Sequence, residues 1–172
     1  MRLLLALVAL LLVVPTVTAQ DARIQDIRDR YYGATDNPEA EGLYQFQVVD
    51  NPDARDYPAI GTYRQEITLT YTLFENQLPV PHLVVMKDQT AAFQTRTEVL
   101  LDDGGAPMFL YYDYGEGSKR VYYNADGDCI RYLMDGESVG CDARGEFREG
   151  EADRIRHAQA VAELLGVLSL GR

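Results

Sequence analysis

Hydrophobic and polar positions change period three times along this chain. Residues 3–14 are an unbroken apolar run. Helical spacing follows: Ile24, Ile27 and Tyr31 fall at i, i+3 and i+7, with Arg23, Asp26, Arg28 and Asp29 on the other side. That spacing predicts a short helix over 21–32, stopped by Gly33. Residues 37–43 and 50–57, rich in Pro, Asp, Asn and Gly, read as loops around one strand over 44–49. From Thr62 the period becomes two: Tyr63, Gln65, Ile67, Leu69, Tyr71 and Leu73 alternate with Arg64, Glu66 and the threonines, predicting a long half-buried strand with odd numbers inward. Residues 80–86 are nearly all apolar, as in a strand covered on both faces, and 93–101 alternate again.

Gly and Asp then recur at short intervals, at Asp102-Asp103-Gly104-Gly105, Gly115-Glu116-Gly117-Ser118, Ala125-Asp126-Gly127 and Asp135-Gly136. Such corners predict an antiparallel meander with strands over 108–114, 119–124 and 129–134. The last helix, over 151–168, carries Ile155, Ala158, Ala162, Leu165 and Leu168 as a stripe that covers the sheet, with Arg154 on the solvated side. The expected fold is α+β, a curved antiparallel meander of six to seven strands with the N- and C-terminal helices packed on one face. A sheet rolled around one helix and a flat sheet carrying both fit the pattern equally.

Composition adds an address. Arg2, the apolar run, Pro15 and the small residues Val17 and Ala19 form the pattern of a secretory signal cleaved before Gln20. Twelve apolar residues are fewer than the roughly 20 that span a bilayer. The expected organisation is therefore a signal peptide over 1–19 and one globular domain over 20–172, periplasmic or secreted, with no membrane span after cleavage. The whole chain has 27 acidic and 16 Lys and Arg side chains, a net charge of −11; losing Arg2 with the leader leaves 27 against 15, or −12. A surface this acidic excludes nucleic acid and anionic lipid as electrostatic partners.

Two cysteines, Cys129 and Cys141, are expected to form a disulfide in an oxidising compartment. If Met134-Asp135-Gly136 is a three-residue hairpin loop, the register pairs 133 with 137 and sets the two cysteines directly opposite each other. Gly136-Glu137-Ser138-Val139-Gly140 matches the G-x-S-x-G string, with Asp153 and His157 following. A nucleophile elbow needs a parallel strand before it and a helix after it. Here a hairpin corner precedes and a cysteine follows, so no catalytic residue is assigned. The acidic pairs Asp102 with Asp103 and Asp126 with Asp128 read as turn chemistry, and no metal or cofactor is expected. His82 reads as a hydrogen-bonded structural histidine.

The tyrosines of three successive strands are the remaining candidates. Tyr111, Tyr112, Tyr122, Tyr123 and Tyr132, with Tyr114, would form a cross-strand aromatic ladder, either the packed face of a half-buried sheet or an aromatic platform for a partner or a sugar. The stretch Arg120-Val-Tyr-Tyr-Asn-Ala-Asp-Gly-Asp-Cys-Ile-Arg131, with Met108-Phe-Leu-Tyr-Tyr before it and Ile24-Gln-Asp-Ile-Arg-Asp-Arg-Tyr-Tyr32, resembles a loose group of exported bacterial proteins of unassigned function. The resemblance implies an envelope or secreted setting and no active site. The expected function is an exported, non-enzymatic binding or interaction domain for an unidentified protein, small molecule or glycan. A small envelope hydrolase using paired carboxylates, or an inhibitor or accessory subunit of another exported protein, are the alternatives.

Overall fold

The computed structural model of the chain describes residues 18–58, 61–75 and 77–169, so of the expected leader only Thr18 and Ala19 fall within it. Helix α1 (Ala19–Asp36) opens the described chain. Thr18 caps it, its Oγ1 accepting from the Asp21 amide at 3.2 Å. The helix runs through Gly33 and stops at Asn37. The residue before a proline is pushed out of helical geometry, and here Pro38 supplies the stop that Gly33 was expected to give.

Nine strands follow: β1 (Tyr44–Asp50), β2 (Asp56–Tyr57), β3 (Gly61–Thr72), β4 (Val80–Thr90), β5 (Gln94–Leu101), β6 (Pro107–Asp113), β7 (Ser118–Tyr123), β8 (Cys129–Met134) and β9 (Glu137–Val139). The two beyond the expected count, β2 and β9, have two and three residues, too short to show a period. The order is β1-β3-β4-β5-β6-β7-β8-β9, with β2 on β3, all antiparallel. Bulges interrupt the ladders at Thr70/Tyr71, Leu100/Leu101 and Tyr122/Tyr123. A short 3₁₀ turn (Cys141–Arg144) leads into helix α2 (Phe147–Ser169).

The α+β meander between terminal helices is the expected architecture, but the helices take opposite faces of the sheet, not one. Ile24, Ile27 and Ala34 of α1 pack with Leu83, Leu100, Met108, Phe109, Tyr122 and Leu133. Ala158, Ala162 and Leu165 of α2 pack with Leu69, Val84, Val99, Leu110, Val121 and Tyr132. Successive strand residues point to opposite faces, and these two sets are neighbours in sequence. The pairs Leu83/Val84, Val99/Leu100, Phe109/Leu110 and Val121/Tyr122 each send one side chain to each helix. The central strands are apolar on both sides because both sides are covered. Each large aliphatic so buried contributes about 1.5–3 kcal/mol. The α2 stripe covers the sheet as expected through Ala158, Ala162 and Leu165; the Leu168 side chain lies outside the described residues.

Candidate ligand-binding cavity

The first turns of α1 are anchored at β8, where the Gln20 amide donates to the Ile130 carbonyl at 2.6 Å. Further along the helix Tyr31 reaches β5. Its hydroxyl donates to Oε2 of Glu98, a residue with no exposed surface. Arg96, two residues earlier on the same strand face, pairs through Nε with Glu98 Oε1, without hydrogen-bond geometry. Burial, and then the bond to and charge of Glu98, hold the Tyr31 phenol well above its ordinary value near 10.

Between this cluster and β7, residues of α1 and of the sheet line a cavity of about 350 Å³. Its floor is aromatic: Phe109 lies 5.2 Å from Tyr31 and 4.9 Å from Tyr122, centroid to centroid. The register sets Glu98, Tyr111 and Arg120 side by side across β5, β6 and β7. The Arg120 guanidinium sits 5.4 Å over the Tyr111 ring, and the Tyr111 hydroxyl donates to Asp113 Oδ2 at 3.2 Å. Burial first and Asp113 second raise that phenol too. Arg28 completes the rim from α1. Neither Arg28 nor Arg120 enters an ion pair among the described residues.

The expected tyrosine ladder is divided between the faces. Tyr111 is opposite Arg120, Tyr112 opposite Lys119, and Tyr122 between Phe109 and Arg131. Tyr111 and Tyr122 line the α1-side cavity. Tyr112 faces α2, stacked on Phe147 at 6.0 Å with the Arg154 guanidinium 3.7 Å from its ring centre. Arg154 therefore packs on the sheet and not on the solvated side of the helix. Tyr123 and Tyr132 are core residues, 2% and 1% exposed. Tyr123 donates to Glu151 Oε1 at 2.7 Å, and Arg144 pairs with the same oxygen at 2.6 Å.

Cys129 and Cys141 form the disulfide, with Cα atoms 6.0 Å apart. The expected register behind it is off by one. Asp135 and Gly136 both have positive φ, 52° and 87°, so the hairpin closes on two residues and Met134 pairs with Glu137. Cys141 lies beyond β9, and the 3₁₀ turn carries it back to Cys129. Ser138 pairs with Leu133, whose side chain packs on the α1 side. Asp153 and His157 line a groove on the α2 side, so the sheet separates them from the serine. Asp88 shares that groove and accepts from Gln65 at 2.7 Å, while Asp153 is paired with Arg156. Asp102 Oδ1 accepts from the amides of Gly104 and Ala106, and Asn124 Oδ1 from those of Asp126 and Asp128. His82 Nε2 meets Thr72 Oγ1 at 2.6 Å, and burial lowers its pKa.

Glu98, Tyr31, Arg96, Arg28 and Arg120 were not singled out as site residues by sequence. The available signal was Glu98 itself, a carboxylate directly before Val99-Leu100-Leu101. Among the described residues no helix is long and apolar enough to cross a membrane. Comparison with protein-family models, curated proteins and solved structures finds no match to the chain.

Proposed function

We propose that this protein is an exported, non-enzymatic binding domain that takes a small organic ligand in the cavity between α1 and the sheet. One observation carries the reading: an open cavity combines an aromatic floor of Phe109, Tyr122 and Tyr31 with a few fixed polar groups, Glu98 and the surrounding arginines. Apolar walls with a small number of converging polar groups are the usual make-up of a small-molecule site. The disulfide and the pattern of residues 1–19 support export.

A fragment library observed by NMR on the isotope-labelled protein tests this. Aromatic fragments should shift the amides of α1, β5, β6 and β7. Hits confined to other surfaces, or a silent library, would remove the cavity as the ligand site. Turnover of a glycoside, ester or peptide would overturn the non-enzymatic part of the reading. Intact mass of protein recovered from the envelope should correspond to a chain beginning at Gln20.

A further inference from the structure

Resting on that binding reading, we propose that the cavity's ligand is an anion, a carboxylate or phosphate borne on a planar apolar body, with its head held between Arg28 and Arg120.

Three guanidiniums, Arg28, Arg96 and Arg120, line the cavity together with one carboxylate, Glu98. Three positive charges less one negative leave the cavity at +2, in a chain whose net charge is −11. With 27 acidic side chains against 16 basic ones, carboxylate partners are abundant. Seven other arginines take one: Arg23, Arg30, Arg55, Arg64, Arg96, Arg144 and Arg156. Among the described residues Arg28, Arg120, Arg131, Arg148 and Arg154 take none, and of these five Arg28 and Arg120 share one opening. Glu98 does not neutralise them, being occupied by Tyr31 on one oxygen and Arg96 on the other. Asp113 is engaged by the Tyr111 hydroxyl.

Guanidinium is the side chain suited to this task. Its planar fork matches the oxygens of a carboxylate or phosphate in pairs, and such charge-assisted bonds are the strong ones. The same positive field repels an ammonium. Beside Arg28 and Arg120 lie the rings of Phe109 and Tyr122, which bury a planar apolar group and give the anion an orientation. Tyr111 underneath holds the Arg120 plane from the sheet side.

Isothermal titration of the intact protein with benzoate, phenyl phosphate, benzyl alcohol and benzylamine tests the charge requirement. At least one of the two anions should bind at least about tenfold tighter than either uncharged or cationic probe, as expected for a charge-assisted pair. The stronger of the two identifies carboxylate or phosphate as the head group. Anion affinity should fall with added salt. Arg28→Gln and Arg120→Gln should each weaken the anion about tenfold and leave benzyl alcohol unchanged. Arg120→Lys should recover part of the loss, and Arg148→Gln, an exposed arginine on α2, should change nothing. Thermal unfolding of each variant confirms that it folds. Benzyl alcohol or benzylamine binding as tightly as both anions would overturn the anion inference and leave the cavity reading standing. So would anion binding indifferent to both substitutions. Failure of all four probes at millimolar concentration also overturns it, and a silent fragment library would then remove the cavity reading as well.

Discussion

Two glutamates lie buried on opposite sides of one sheet, each joined to a tyrosine hydroxyl and an arginine. Glu98 meets Tyr31 and Arg96 under α1; Glu151 meets Tyr123 and Arg144 under α2. The difference lies in the arginine. The Arg144 side chain is 10% exposed and its guanidinium is sealed beside the disulfide turn, where its Nε also donates to the Cys141 carbonyl at 3.0 Å. The Arg96 side chain is 47% exposed and borders the cavity. The same three residue types thus make a closed structural knot in one place and the wall of an open site in the other. Access of the cation to water separates them, since the cost of a buried charge depends on whether its partner can retreat to solvent.

The largest test of that contrast is Glu151→Ala. It strands the Arg144 guanidinium and the Tyr123 hydroxyl in the core, and should cost about 3–5 kcal/mol in urea unfolding. Glu98→Ala should cost less, about 1–2 kcal/mol, because Arg96 can swing into water and the cavity can hydrate Tyr31. Equal losses from the two would erase the distinction.

Smallest is the alkaline response. Tyr31 and Tyr123 are both held protonated above their ordinary pKa, by burial first and by their glutamates next. In the unfolded chain both titrate near pH ~10. The unfolded state then binds fewer protons than the native one, so stability is full below that pH and falls as pH rises above it. Tyr31→Phe and Tyr123→Phe should each flatten the fall, measured as unfolding midpoints between neutral and alkaline buffer. In the folded protein, absorbance titration should show these two phenols ionising late or only on unfolding.

Much of the fold is legible in the pattern because hairpin corners carry their own chemistry. Asp102 and Asn124 tie the turns that their Gly neighbours close. Legibility fails where a decision depends on distant residues. Asp135-Gly136 reads as part of a three-residue loop until both residues are seen at positive φ, and that one-residue slip moves every cross-strand partner. The disulfide survives the error because the chain beyond β9 turns back. The double-sided apolar pattern shows plainly in residues 80–86, but in β7 and β8 tyrosine obscures it: a ring with a hydroxyl reads as half-wet, whereas Tyr123 and Tyr132 are core residues. Glu98 occupies an alternating position beside Gln94 and Arg96 and so reads as outward. It is buried because α1, whose Tyr31 stands 67 residues away, lies across it.

The sheet also works as a partition. Its two clusters draw on the same strands but on alternate side chains, so substitutions beneath α1 should add to those beneath α2 with little coupling. For an engineer, one face is a foundation that can be left untouched while the other is diversified. Randomising Arg28, Tyr111 and Arg120, which lie outside the buried core, would reshape the cavity and leave the disulfide, the Glu151 knot and the α2 stripe intact. A chain built this way can change what it holds without first relearning how to fold.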